Sequence, residues 1–137
     1  MKTKIIFLIL FLFATQLFFS SESSAAGASL YLSPSASSYK IGQSFTANIF
    51  VSSTDQAMNA AQGTISFPIN KLSVASISKS GSVVSLWTQE PSFSNSTGMV
   101  SFEGIVLNPG FTGSAGKMIS INFITKTAGD AVVSFSS

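Results

Sequence analysis

Beyond the first 26 residues, apolar side chains recur at every second position, and clusters of Ser, Gly, Asn and Pro separate the runs. The clearest run contains Phe45, Ala47, Ile49 and Val51. A period of two, rich in β-branched and aromatic residues, is typical of strands with one buried face. Comparable runs occupy residues 30–32, 65–67, 72–74, 100–102, 119–123 and 131–135, and Ile77 falls slightly out of step.

Turn-forming residues fall between these runs, and no window shows a helical stripe with caps. Glycine and proline break strands and favour turns. Short strands at this spacing predict a single all-β domain, an antiparallel β-sandwich. The predicted turns lie at Gly42, Asp55, Pro68, Gly81, Pro91, Gly98, the segment 108–110, Gly113 and Gly129.

Residues 1–26 have the organisation of a secretory signal peptide. Lys2 and Lys4 precede an apolar run over residues 5–13, and the small residues Ser24 and Ala26 suit a cleavage site. The alternative is a retained membrane anchor, but a spanning helix needs roughly 20 apolar residues and this run is shorter. The sequence therefore predicts an exported bacterial protein, secreted or displayed on the cell surface, whose domain occupies residues 27–137.

The composition argues against catalysis. The chain contains no His and no Cys, and its sequence shows no Arg. The acids beyond the leader are Asp55, Glu90, Glu103 and Asp130, which are far apart in the sequence. Because acid–base and nucleophilic catalysis need closely placed ionisable groups, we expect no enzyme activity, no catalytic residues and no cofactor.

The charge pattern also limits the classes of partner that the protein is expected to bind. Without the leader, five lysines face four acids, a net charge of +1. Nucleic-acid binding needs clustered basic residues, so no nucleic-acid partner is expected. A calcium site needs several clustered oxygen ligands, so no metal site is expected either. Contact with a membrane is expected only through the signal peptide or an anchor outside this sequence.

Several motifs, in order along the chain, resemble those of a cohesin module, the receptor for dockerin modules in cellulosomes. The series begins with Leu30-Tyr31-Leu32-Ser33-Pro34 and spans the whole predicted domain. The resemblance implies a jelly-roll β-sandwich that binds a protein partner without catalysis, in polysaccharide-degrading machinery. The other matching segments are 39–45, 59–67 with Lys71-Leu72, 99–104, 116–123 and 129–135.

Two features depart from the family pattern. Cohesins usually carry an acid between the aromatic residue and the proline that end strand three, but here Pro68 directly follows Phe67. The family fold also closes with a ninth strand beside the first, whereas this sequence stops at Ser137. We therefore expect the closing strand to be missing from this sequence and the natural chain to continue.

The resemblance implies that a dockerin-type partner docks on the sheet formed by strands eight, three, six and five. Any calcium would then belong to that partner. Residue types alone favour an ordinary solvated sheet face. Alternation predicts that Ile65, Phe67, Val100, Phe102, Ala131, Val133 and Phe135 point inward. The outward candidates for partner binding are Gln62, Thr64, Ser66, Ser101, Glu103, Val132 and Ser134.

A carbohydrate-binding module is the alternative function, and a structural spacer of a surface protein is the third. Trp87 and Phe93 could offer aromatic faces to sugar rings. The competing interpretation, which we favour, is that Trp87 covers the end of the core. The Asn95-Ser96-Thr97 sequon is more simply a turn.

Overall fold

The alternating runs form eight strands in the computed structural model, which describes residues 27–136. The predicted signal peptide lies outside the described residues. In the part of the chain that is described, no helix could cross a membrane. The strands are β1 (Ser29–Ser33), β2 (Ser44–Met58), β3 (Ala60–Ser66), β4 (Leu72–Ser78), β5 (Leu86–Ser94), β6 (Met99–Ile105), β7 (Phe111–Thr125) and β8 (Ser134–Ser136).

The strands are arranged in two antiparallel sheets. One has the order β1-β2-β7-β4 and the other the order β5-β6-β3-β8. The chain crosses repeatedly between them, for example from β2 to β3 and from β6 to β7. The predicted all-β antiparallel sandwich is confirmed, and so is the strand order of the sheet implied by the cohesin resemblance. The closing strand expected after Ser137 stays a prediction.

The core lies between the two sheets, where alternate side chains meet. Ile49 on β2 and Ile121 on β7 are fully buried, as are Ile65 on β3 and Val100 on β6. Phe102 on β6 is also buried. Burial on β2 and β6 follows the period of two in the sequence, because each strand buries one face against the opposite sheet. On β7, residues 118–121 are all buried, beside a register shift against β2.

A row of aromatic rings joins the two sheets. Tyr39 stacks on Phe45 with the ring centroids 4.0 Å apart, and Phe45 stacks on Phe123 at 5.5 Å. Phe67 then meets Phe123 edge to face at 5.5 Å. Such pairs stabilise a core beyond simple burial, and this row fixes how β2 and β7 sit against the end of β3.

Three predicted turns were wrong. Asp55 lies inside β2, Pro91 inside β5 and Gly113 inside β7. Each lies at or beside an irregularity in pairing: β2 and β7 lose register between Ser53 and Met58, and β5 loses register against β6 on either side of Gln89. A bulge lets a strand continue through a residue that would otherwise end it.

A bulge also explains why Ile77 departs from the period of two in the sequence. β4 shifts register against β7 between Val74 and Ser76, which explains the position of Ile77. At the other end of the chain, the predicted inward position of Ala131 was wrong. Ala131 is exposed because β8 begins only at Ser134, so no pleat fixes its direction.

Candidate functional site

One broad face of the molecule is polar and carries almost no charge. It is the outer surface of the β5-β6-β3-β8 sheet, and cross-strand pairing places its side chains in rows. We call this surface the polar face. Its residues are Gln89, Ser92 and Ser94 of β5, Met99, Ser101 and Glu103 of β6, Gln62, Thr64 and Ser66 of β3, and Ser134 and Ser136 of β8.

Six of the seven predicted partner-binding residues lie together on the polar face. Thr64 pairs across the sheet with both Ser101 and Ser136, and Ser66 pairs with Ser134. Pairing aligns side chains on one side of the sheet. The predicted residues of β3, β6 and β8, which are distant in the sequence, therefore lie side by side on one surface.

Val132, the seventh predicted residue, lies apart from these strands. It is 74% exposed and precedes β8 in the irregular segment 126–133. This segment is held by the β3–β4 loop, because Lys126 Nζ donates to the Ile69 carbonyl (2.6 Å) and Thr127 Oγ1 to that of Asn70 (2.8 Å). Val132 lies outside the polar face and lines an opening between segments 34–41 and 127–133 at one end of the sandwich.

Sequence reasoning missed five residues of the polar face. Gln89 and Ser92 were not predicted, because two register shifts in β5 break the alternation that would have shown which side of the sheet they face. Met99, which is 42% exposed, is the large apolar residue of this face. Ser94, Met99 and Ser136 lie at strand ends, where too few neighbouring residues alternate to show which side they face.

Hydrogen bonds between side chains order the hydroxyl groups. Gln89 Nε2 donates to Ser101 Oγ (3.1 Å), and the hydroxyls of Ser92 and Ser101 are 3.3 Å apart. The hydroxyls of Ser66 and Ser134 are 3.4 Å apart across the β3–β8 pair. Because these groups are already oriented, a partner would lose less rotamer entropy in binding them.

Glu103 lies at the centre of the polar face. Register places it opposite Gln62 on β3 and opposite Gln89 on β5. A shallow depression of about 370 Å³ opens here, lined by these three side chains together with Thr64, Ser101 and Ser136. The depression thus brings side chains of β3, β5, β6 and β8 together around Glu103.

The floor beneath the depression is rigid. On the inner side of the sheet, a Cβ added at Gly63 would lie 2.7 Å from Phe102 Cζ, so glycine lets the ring pack directly under β3. Phe102 is 2% exposed and meets Trp87 edge to face at 6.5 Å. Close packing on this side resists bending of the sheet when something presses on the other.

Trp87 packs inward, where it covers the core. It pairs with Gly104 on β6 and contacts the buried cluster, while Lys79 Nζ lies 5.9 Å from the centre of its ring. Lys79 also forms a 2.6 Å ion pair with Glu90. Phe93, the second predicted sugar-binding residue, pairs with Val100 and is 41% exposed at the edge of the sheet. The indole of Trp87 is therefore partly covered by Phe102 and by Lys79.

A larger opening of about 850 Å³ lies at one end of the sandwich. It lies between segment 34–41 and segment 127–133, and its charged residues are Lys40, Lys71 and Asp130. Nowhere in residues 27–136 do three His, Cys, Asp or Glu residues approach closely enough to hold a metal ion.

Comparison with known proteins finds similarity of structure but not of sequence. No protein-family model matches the chain, and no curated protein matches it. One similar structure is the sixth cohesin of scaffoldin B from Acetivibrio cellulolyticus, in complex with a mutant Cel5 dockerin. It aligns with a TM-score of 0.64 at 18% identity, over 81% of this chain and 82% of that chain.

Two further structures agree. The second type II cohesin module of the cellulosomal adaptor scaffoldin ScaA from Acetivibrio cellulolyticus aligns with a TM-score of 0.62 at 11% identity, covering 82% of this chain and 78% of its own. The solution structure of CaCohA2 from Clostridium acetobutylicum aligns with a TM-score of 0.58 at 17% identity, covering 72% and 68%. These alignments extend over most of the sandwich in each molecule.

Proposed function

Because the chain has the fold of cohesin modules, we propose that it is a non-catalytic assembly module that binds a dockerin-type partner through the polar face. The sixth cohesin of scaffoldin B, which it resembles, is bound to a dockerin. In this proposal the protein is a receptor whose role is to hold another protein in place, and the chemistry belongs to whatever that partner carries.

The observation that carries the proposal is the contiguity of the polar face. Four adjacent strands present hydroxyls and amides with a single carboxylate, and their order is β5-β6-β3-β8. A stable protein interface covers roughly 800 Å² on each partner, which a four-stranded sheet can provide. Polar groups held by one another suit a partner that docks through hydrogen bonds and modest apolar contact at Met99.

The small number of ionisable side chains supports a binding role over a catalytic one. The only acid or lysine of the polar face is Glu103, and the opening at the end of the sandwich has three charged residues, Lys40, Lys71 and Asp130. An enzyme needs ionisable groups held close together.

We propose that the module is exported by residues 1–26 and works outside the cell, secreted or on the surface, in polysaccharide-degrading machinery.

Carbohydrate binding and a purely structural spacer are the other two functions to be tested. A sugar platform needs exposed aromatic faces, whereas the indole of Trp87 packs against Phe102 and lies beneath Lys79. These contacts favour a structural role for Trp87. A spacer would need no ordered polar face at all.

The test is a capture experiment with matched baits. The wild-type protein and a Ser66→Arg/Glu103→Lys variant are immobilised and exposed to secreted and envelope fractions of the source organism, with calcium and with chelator. The control bait carries Ser29→Arg and Asp130→Lys, which make the same chemical changes away from the polar face. Mass spectrometry then identifies retained proteins.

We expect the wild type and the control bait to retain a protein with paired calcium-loop helices, only with calcium, and the polar-face variant to lose it. Circular dichroism checks that all three baits are folded. Retention of no such protein by a folded wild-type bait, or equal retention by the polar-face variant, would contradict the proposal. Parallel binding to insoluble polysaccharides, lost on Trp87→Ala, would support the carbohydrate-binding alternative instead.

A further inference from the structure

Glu103 is the one charge on the polar face that has no counterion. The single ion pair formed within residues 27–136 joins Lys79 to Glu90. The sequences of β3, β5, β6 and β8 contain no lysine, and the chain as a whole contains no arginine. Lys71 and Lys126 are engaged with backbone carbonyls on the β3–β4 and β7–β8 connections. Within residues 27–136, Glu103 therefore forms no ion pair, and its carboxylate is open to a partner.

The neighbours of Glu103 add acceptors around that charge. Gln62 and Gln89 flank it on the adjacent strands, and each amide side chain carries a carbonyl oxygen. Gln89 already directs its amide nitrogen to Ser101 Oγ at 3.1 Å, which leaves its oxygen available. The three side chains line the shallow depression of about 370 Å³. A carboxylate with an amide side chain on each adjacent strand can accept hydrogen bonds from several donors of one partner group.

A guanidinium group fits this arrangement better than an ammonium group. Its planar fork presents five N–H donors and can span a carboxylate and neighbouring acceptors together. An ammonium is a compact, strongly hydrated charge that satisfies fewer neighbouring acceptors. The depression is open and shallow, which suits a flat group laid along the sheet.

The geometry points to an arginine of the docked protein as the occupant of the depression, with its guanidinium on Glu103 and its remaining donors on Gln62 and Gln89. This inference rests on the proposed function, since it names the partner chemistry of the same face. This contact would also set the orientation of the partner, because the only unpaired charge of the polar face fixes where one arginine of the partner must lie. Once the partner excludes water, this contact gains strength.

The first test needs no natural partner. The ¹⁵N-labelled protein is titrated with N-acetyl-arginine amide, and with the uncharged citrulline analogue as the matched probe. We expect amide shifts at Gln62, Gln89 and Glu103 with the arginine probe alone. They should vanish in Glu103→Gln and persist in Asp130→Asn, which removes an equal charge elsewhere. Equal shifts from both probes, or shifts that survive Glu103→Gln, would overturn the inference.

The second test uses the captured partner. Glu103→Gln should weaken its affinity about tenfold and flatten the dependence on NaCl, whereas Asp130→Asn should change neither. Unchanged affinity in Glu103→Gln, with a dockerin still bound at the polar face, would overturn the arginine contact and leave the proposed function standing. Arginine-specific shifts in a protein that captures no dockerin would support the arginine site while removing the proposed function.

Discussion

At the scale of single residues, Phe102 links the core to the polar face. Its ring is 2% exposed, lies beneath Gly63 and meets Trp87 edge to face. Truncation would leave a cavity under the strand that carries Glu103, so we expect Phe102→Ala to lower the free energy of unfolding by about 3–5 kcal/mol. Urea denaturation measures the change. Phe93→Ala is the control, with a clearly smaller effect because Phe93 is 41% exposed. A loss under about 1 kcal/mol in Phe102→Ala would contradict its core position.

Asn95 shows how one side chain can serve as a strand partner. Its Oδ1 accepts from the Val74 amide at 2.7 Å, and its Nδ2 donates to the Val74 carbonyl at 2.9 Å. The side chain thus pairs with the edge strand β4 where β4 shifts register against β7. With its amide engaged, the sequon has the structural role of a turn.

Removing that amide should leave both backbone groups of Val74 without partners. We expect Asn95→Ala to cost about 1–3 kcal/mol of unfolding free energy, since Val74 is 3% exposed and water reaches it poorly. Asn70→Ala, an exposed asparagine whose backbone carbonyl alone accepts a hydrogen bond from Thr127, is the matched control. Equal stability of the two variants in urea would show that the Asn95 pair contributes nothing.

At the scale of elements, period-two alternation predicted the central strands well and failed where bulges interrupt it. The inward positions of Ile65 and Val100 follow directly from the pattern, and both are fully buried. β5 was not delimited because its two register shifts change which side chains face out. Six of the seven predicted binding residues met on one face because β3, β6 and β8 pair in regular register. Gln89 and Ser92 could not be found without the pairing itself.

β5 is also the edge strand with the most protection. Glu90 and Pro91 lie within it, and a charge and a missing N–H both discourage pairing with another chain. We expect Glu90→Gln/Pro91→Thr to self-associate at concentrations where the wild type does not, as measured by light scattering. Asp130→Asn removes an equal charge from a loop and should stay unchanged. If the double variant scatters like the wild type, the two residues do not guard this edge.

At the scale of the whole molecule, stability depends on packing and uncharged hydrogen bonds. The ion pair between Lys79 and Glu90 is the single one within residues 27–136, and its side chains are 44% and 69% exposed. Exposed pairs contribute little and are screened by salt. We expect the free energy of unfolding to change by less than about 1 kcal/mol between about 0.05 and 0.5 M NaCl. A larger loss in urea melts at the higher salt would reveal electrostatic stabilisation that the ion pair does not provide.

Trp87 gives the molecule a fluorescent label of its own. It is the only tryptophan in the chain, and its indole sits against Phe102, on the inner side of the strand pair whose outer side carries Glu103. Unfolding brings the indole into water and shifts its emission to longer wavelength. A partner that settles on the polar face without bending the sheet leaves the indole in the same surroundings. Emission recorded during a binding titration therefore separates rigid docking from a deformation of the sheet, with no dye attached to the protein.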